Sequence, residues 1–547
     1  MDKKSNYGKE PVGLRIVAVI DIGATSVRMM IAEIQANGET CELESLAQSV
    51  PLGRDTFRDG TISRSSTEEC VRVLTVYQEK LREYGIDRPE DVRVVATSAV
   101  REANNRLAFQ DRIYVATGLA IEPFDEASLH RTTFIGIRPV LEQNAYLNEG
   151  QTVVCEVGGG TTEVLVLHDG QVVYANNFRL GALRMIKTLE AFDSPLSQNH
   201  DLMTSQIDQM TNQLLLVLNE TNHQETATDR KLVVMGGEMR LATQHIKGIK
   251  KSRAEDLESL LVKLPTSKME EFTTQVAEWT PDALVKKYQL SPNEAQSLAP
   301  ALLINLHLAK ALGVDVLNVA EVNLREGLVN DLLVGDRWMG QADSQVLDSA
   351  IQLGRKFDFD EPHALHVDFL ADRIFEETLP LHGMGHRWRL LLRMAAIMHE
   401  VGKAISQRSY HKHSMYVIRN SSVFGLSSAE LERVALIARY HRRAVPQPRH
   451  DFYSQLGRDD RVNVSKMAAI LRVAKSLDAS RTQQIREIEC LIDGGLSIFV
   501  PGIADLSLEQ LELKRQGVLF ENIFGVRPAL TKVPFDIVAS GLLPRRT

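Results

Sequence analysis

Two short stretches of this chain have the residues to hold a phosphoryl group. Asp21-Ile22-Gly23-Ala24-Thr25-Ser26 and Glu156-Val157-Gly158-Gly159-Gly160-Thr161 align without gaps, 135 residues apart. Each reads apolar strand, acid, apolar residue, glycine, two small residues, hydroxyl. Glycines let a backbone approach an anion closely, and successive N–H groups in a tight turn form a nest for phosphate oxygens. The hydroxyls of Thr25, Ser26, Thr161 and Thr162 can donate to the same oxygens, and Arg28 follows on the strand leaving the first loop. An acid at a strand end repels phosphate unless a divalent cation lies between, so Asp21 and Glu156 imply Mg²⁺ or a similar ion. One such loop alone would be an ordinary hairpin. Two, with an acid in the same place, imply related halves facing a cleft.

The elements that position these loops are legible around them. RIVAVIDIG and VRMMIAEI predict strands flanking the first loop, and QTVVCEVGGGTTEVLVLHDGQVVYA predicts strand, glycine turn, strand and a hairpin on Asp169-Gly170. VRVVATSAV and KLVVMGG predict further strands, and STEECVRVLTVYQEKLREY an amphipathic helix over 66–84. Alternation of this kind predicts an α/β architecture. From about residue 345 the pattern changes to long amphipathic helices, among them DFLADRIFEETL, WRLLLRMAAIMHEVG and AELERVALIARYH. The last segment mixes strand runs with a helical one, as in a small α+β appendage.

Composition narrows the class. At 547 residues the chain is too long for one core. With 44% hydrophobic and 24% charged residues it is not collagenous, low-complexity or disordered. No apolar run approaches the roughly 18 residues of a membrane span. The first 15 residues are polar and read as a loose leader instead of a signal peptide. Cys41, Cys70, Cys155 and Cys490 lie far apart, which predicts reduced cytoplasmic thiols and neither a zinc site nor a redox pair. A net charge of −8 argues against a nucleic-acid binder. Residues 381–450 depart from it, with 12 Lys and Arg against three acids, and seven histidines besides. Such a local field would draw an anionic ligand.

IDIGATSVRMMIAEI, VVATSAVREANN, DEASL, EVGGGTTEVLVL, LGALRM and NLREGLVNDLL occur in the order found in the Ppx/GppA family of exopolyphosphatases and guanosine-pentaphosphate phosphohydrolases, which the chain resembles from about residue 15 to 480. HEVGKAIS, HKHSMYVIRNSSVFGLS and ARYHRRAVP extend the resemblance into the helical half. It implies duplicated actin-like α/β domains over 1–138 and 139–338, a helical HD-like domain over 339–484 and the α+β segment over 485–547. It implies a Mg²⁺-dependent hydrolase removing terminal phosphate from polyphosphate or pppGpp, cytoplasmic, acting as a homodimer and binding neither nucleic acid nor membrane.

Residue by residue, Glu126 matches the glutamate that positions the attacking water, Asp21, Glu156 and Glu163 the acids that hold the cation, and Arg101 an arginine that clamps phosphate. Gly23, Ala24, Thr25, Ser26, Arg28, Gly158, Gly159, Gly160, Thr161 and Thr162 fall to the substrate loops. Arg325-Glu326 matches an REG motif that closes the domain. The chain departs from the family where GATS replaces GSNS, Glu156 replaces an aspartate, Ser128 replaces an arginine, and Glu238 follows the glycine turn Met235-Gly236-Gly237.

An HD-type metal centre needs a His, a His-Asp pair and a distant Asp. His366, His399-Glu400 and Lys475 are expected at those places, and an ammonium at a ligand position repels a cation, so the centre reads as degenerate. Arg439, Arg442, Arg443, His411 and His413 would instead line a path for a polyanion. Two other functions fit the same residues: a non-enzymatic polyphosphate or alarmone sensor, supported by the altered first loop, and an ATP-using kinase-like protein with adenosine at the turn near Gly236.

Overall fold

The computed structural model describes residues 15–533 except 36–38, 123, 192–195, 222–229, 249–259, 422 and 504, so residues 1–14 of the expected leader lie outside it. The chain forms two compact units, Met1–Trp338 and Met339–Thr547.

The first unit holds β1 (Arg15–Ile22), β2 (Ser26–Ile34), β3 (Thr40–Ser49), α1 (Leu52–Asp59), α2 (Arg64–Glu83), β4 (Val92–Ala96), α3 (Ser98–Glu102), α4 (Arg106–Thr117), α5 (Glu126–Gln143), β5 (Gln151–Val157), β6 (Thr162–His168), β7 (Gln171–Phe178), α6 (Ala182–Ala191), α7 (Leu196–Thr221), β8 (Lys231–Met235), α8 (Gly237–Lys247), β9 (Leu261–Pro265), α9 (Thr266–Ala277), α10 (Pro281–Tyr288), α11 (Pro292–Leu312), β10 (Val316–Ala320) and the start of α12 (Leu324–Lys356). The expected helix over 66–84 is α2, started by Ser63, whose side chain accepts from the Ser66 N–H. Asp169 and Gly170 take the positive φ angles, 49° and 76°, that a two-residue hairpin turn demands.

Its sheets repeat one plan. The first has strand order β3-β2-β1-β4, and the second begins β7-β6-β5-β8 before adding β10 and β9. In each, a three-stranded antiparallel meander is followed by a strand parallel to its first. The duplication seen in two loops thus extends to whole sheets.

Strand alternation decides where the acids go. Ala18, Ile20 and Ile22 of β1 pack into a core with Leu74, Tyr77, Phe109 and Ile113 of α2 and α4. Val17 and Val19 face the other way, onto Leu129 of α5 and Leu324 and Leu328 of α12. Asp21 has the parity of Val17 and Val19, so its carboxylate leaves on the α5 and α12 side. In the second sheet Val153, Cys155, Val157, Val164 and Val166 fill the core. Glu156 and Glu163, direct partners across β5 and β6, therefore stand on the opposite face.

The second unit contains α13 (Glu361–Glu377), α14 (Leu379–His382), α15 (His386–Met398), α16 (Tyr410–Arg419), α17 (Ser428–Arg439), α18 (Arg458–Ser476), β11 (Glu489–Ile492), β12 (Leu496–Pro501), α19 (Ser507–Gln516), α20 (Val518–Phe524) and β13 (Pro528–Val533). The three strands lie in the order β11-β12-β13. Leu496, Ile498, Val500, Phe520 and Leu530 share one core with Val367, Leu391, Val434 and Ile470 of the helices. The α+β segment is therefore joined to the helices by common burial.

Candidate active site

Both loops close in the same way. The Gly23 N–H donates to the Ser26 carbonyl at 2.9 Å, and the Gly158 N–H to the Thr161 carbonyl at 2.8 Å. The start of a following helix then catches each loop's remaining carbonyls. Gly53 N–H donates to Ala24 O (2.7 Å) and Val50 N–H to Thr25 O (3.1 Å); Ala182 N–H donates to Gly158 O (3.0 Å), and Leu183 and Arg184 N–H to Gly159 O (2.9 Å each). Oxygens that would repel phosphate are so turned onto helix N–H groups. A Leu-Gly pair, Leu52-Gly53 and Leu180-Gly181, stands close to each of these contacts, at different intervals from the two loops.

The two loops also meet. A Cβ on Gly159 would lie 3.1 Å from the Ala24 Cβ, and one on Gly160 2.5 Å from the Ser98 hydroxyl and inside the Phe57 ring. Arg184 fastens the junction: its guanidinium sits 4.3 Å from the Phe57 centroid and donates to Gly160 O (2.7 Å) and Glu102 (2.6 Å). Thr162 belongs to this scaffold too. Fully buried, it donates to Leu180 O at 2.5 Å, which corrects its expected place among phosphate donors.

The three acids converge. Asp21 and Glu163 are buried, and Asp21 Oδ1 and Glu163 Oε1 have no hydrogen-bond partner among the described residues. Burial pushes Asp21 up, against the pull of Arg325 and Arg28. Burial pushes Glu156 up to about 7; Arg240 opposes it and Asp21, from the other lobe, adds to it. Burial likewise pushes Glu163 up to about 8, helped by Glu156 and opposed by the Thr133 hydroxyl and Arg101. Carboxylates gathered without enough partners fit a divalent cation, which would supply the missing positive charge.

Glu126 is the first residue of α5 and is exposed. Asp125 caps the helix, accepting from the Ser128 N–H at 2.9 Å. Glu126, His130 and Thr133 share one helix face by their spacing, and the Thr133 hydroxyl donates to Glu163 Oε2 at 2.8 Å. That face therefore looks toward the acids. Arg101 on α3 donates to Phe124 O at 3.4 Å and is close enough to bias both Glu163 and His130. Arg325, expected only to close the domain, is buried beside Asp21 and Glu156 with its Nε unpartnered, so it belongs to the site. Sequence reading missed Arg240, His130, Thr133 and Asn177; only the helical spacing from Glu126 could have pointed to two of them. At the glycine turn, Gly236 has a φ of 109° and Glu238 accepts from the Ser297 hydroxyl at 3.0 Å.

In the second unit His363, and not the expected His366, stands with His399 and Glu400, their ligand-type atoms within 4.8 Å of one another. His363 Nδ1 bonds Asp478 at 2.6 Å, whereas His366 is held by Asp478 and by Ile485 O. The set does not fit a metal, because cations already surround Glu400: Arg481 at 2.6 Å, Lys475 at 3.7 Å, and Lys403. Nearby, burial first and then Arg439, Arg442, Arg443 and Lys412 push His411 down to about 4, so these groups form one cationic cluster. Arg442 lies 4.6 Å over the Tyr410 ring. His413, two residues beyond His411 on α16, falls on another side of the helix.

Comparisons with known proteins place these features. A profile of the Ppx/GppA phosphatase family matches residues 30–335, and one of Ppx/GppA phosphatase domain III matches residues 347–509. The guanosine-5'-triphosphate,3'-diphosphate pyrophosphatase of Aeromonas hydrophila is 23% identical over 470 residues, covering 86% of this chain and 88% of the relative. That of Pseudoalteromonas translucida is 22% identical over 478 residues, with the same coverages. Among solved structures, an exopolyphosphatase from Cytophaga hutchinsonii superposes with a TM-score of 0.51 at 19% identity, over 59% of this chain and 98% of its own. The paired sheets are the duplicated α/β halves that the loops implied, and the chain belongs to the Ppx/GppA phosphatase family.

Proposed function

We propose that this chain is a phosphoanhydride hydrolase that releases the terminal orthophosphate of inorganic polyphosphate, the 5′-phosphate of guanosine pentaphosphate, or both. One observation carries the reading: two copies of one hairpin bring Asp21, Glu156 and Glu163 together, Asp21 and Glu163 buried with an oxygen each unpaired among the described residues, on the face where α5 carries Glu126. The relatives named above act on these two kinds of substrate.

Asp21, Glu156 and Glu163 would hold the divalent cation, Mg²⁺, which neutralises charge on the transferring phosphoryl group when bound. Backbone N–H groups of Ala24–Ser26 and Gly159–Thr161 cradle phosphate oxygens, and Arg101 adds a planar, two-pronged donor. Glu126 orients a water and takes its proton as the water oxygen bonds to phosphorus. The P–O bond to the rest of the chain or nucleotide breaks, and orthophosphate leaves. Arg439, Arg442 and Arg443 give a long polymer a cationic surface, with neutral His411 buried among them.

Phosphate release from long-chain polyphosphate, pppGpp and ATP, by the wild type and Glu126→Gln, tests the reading. Release from one of the first two is expected, with a loss of ~100-fold or more in the variant. Equal rates in both proteins would remove Glu126 from its role. Tight binding without release at saturating Mg²⁺ would turn the protein into a sensor.

A further inference from the structure

Beside Glu163, which would hold the cation, lie polar atoms of Asn177 and His130 that the reaction above leaves unused. Asn177 on β7 is the direct cross-strand partner of Glu163 on β6, so the two side chains share one face of the sheet. Asn177 is buried, 7% exposed, and neither its Nδ2 nor its Oδ1 has a partner among the described residues. His130 on α5 is equally buried at 8%. It lies near the Asn176 backbone, one residue from Asn177, and its Nε2 has no partner among the described residues. Glu163 Oε1 is also unpaired, and Thr133, less than one turn along α5 from His130, occupies the other oxygen.

Both ends of the Asn177 amide and one His130 imidazole nitrogen, without a partner among the described residues, thus belong to the α5 side of the β6–β7 ladder, next to Glu163. Leaving any of them unsatisfied destabilises the fold, so a fold without a ligand here would favour apolar residues. Asn177 offers a donor at Nδ2 and an acceptor at Oδ1, and the imidazole Nε2 of His130 a third partner, which is what a water molecule needs. His130 stands one helical turn from Glu126 on the same face.

We propose that Asn177 and His130 form, beside Glu163, a buried seat for water that feeds and orients the nucleophile held by Glu126. They are positioning residues: they act on the water, and through it on the phosphoryl group. This rests on the hydrolase reading given above. It also departs from plain structural use in one respect. A seat kept for catalysis burdens the fold, so filling it with carbon should stabilise the protein while slowing it.

The test measures kcat, KM and Tm for wild type, Asn177→Leu, Asn177→Ser, His130→Leu and His130→Gln, with polyphosphate or pppGpp at saturating Mg²⁺. Asn177→Leu and His130→Leu should lower kcat about tenfold or more with KM within about twofold, since the loss lies in orienting the attack and not in binding. Tm should hold or rise in both. His130→Gln and Asn177→Ser, which keep a polar atom in the seat, should recover most of the rate. If the leucine variants fold and keep the wild-type kcat, or if Tm falls with kcat intact, the seat is overturned and the residues are structural. If the glutamine and serine variants are as slow as the leucine ones at equal Tm, water is not what the seat holds. Failure of the wild type to release phosphate from either substrate overturns the hydrolase reading and the seat together, an outcome distinct from the first two.

Discussion

Glu163 shows in one residue what this site costs. Its carboxyl is held up at about 8, by burial first and by Glu156 second, whereas an unfolded glutamate titrates near 4.3. The folded form thus binds the proton more tightly. Stability is greatest where Glu163 is neutral in both states, falls as pH rises from about 4.3 to 8, and stays low above. Calorimetry in chelator should therefore show a smaller fall in Tm between pH 6 and 9 for Glu163→Gln than for the wild type, together with a loss of activity of ~100-fold or more. A wild-type Tm that falls no faster than the variant's would contradict the raised carboxyl. The role of Glu163 was legible from the EVGGGTTE motif. The seat beside it was not, because Asn177 comes next to Glu163 only through strand register and His130 only through the packing of α5.

Elements position the chemistry through their ends. Asp125 caps α5 just where Glu126 must be held, so Asp125→Ala should cost about 1 kcal/mol of stability and lower kcat by more than that loss would suggest. Urea unfolding beside phosphate-release kinetics separates the two effects. At the second loop a Cβ on Gly181 would run into the Gly160–Thr161 peptide. Gly181→Ala should cost about 1–3 kcal/mol as overpacking and move the loop's N–H groups off the phosphate, with kcat falling further than Tm alone predicts. Helices and strands around these points were readable from periodicity. The Leu-Gly pairs at 52–53 and 180–181 escaped notice because they stand at different intervals from the two loops.

Across the whole molecule, charge is divided between a buried acidic site in the first unit and a half-buried basic cluster in the second. A divalent cation must displace protons from Glu156 and Glu163, held at about 7 and about 8. The rise in Tm on adding Mg²⁺ should accordingly be larger at pH 8.5 than at pH 6, and a shift independent of pH would tell against these ligands. Reversing Arg442 and Arg443 to glutamate should raise KM for long polyphosphate more than for short chains, the difference shrinking in high salt. An unchanged chain-length preference would remove the cationic cluster from the substrate path.

The amino-acid order alone determined the duplication and the acids at the two strand ends, because each lies in a local motif whose spacing is short, whereas Glu126 and Arg101 came from the family resemblance. It also determined fold class, since alternating strand and helix periods are local properties of the chain. Tertiary structure decided the rest. Which strand face an acid leaves by, which histidine reaches His399, and whether Thr162, Arg325 or Asn177 meets the site depend on packing between segments tens to hundreds of residues apart, and no local pattern records it.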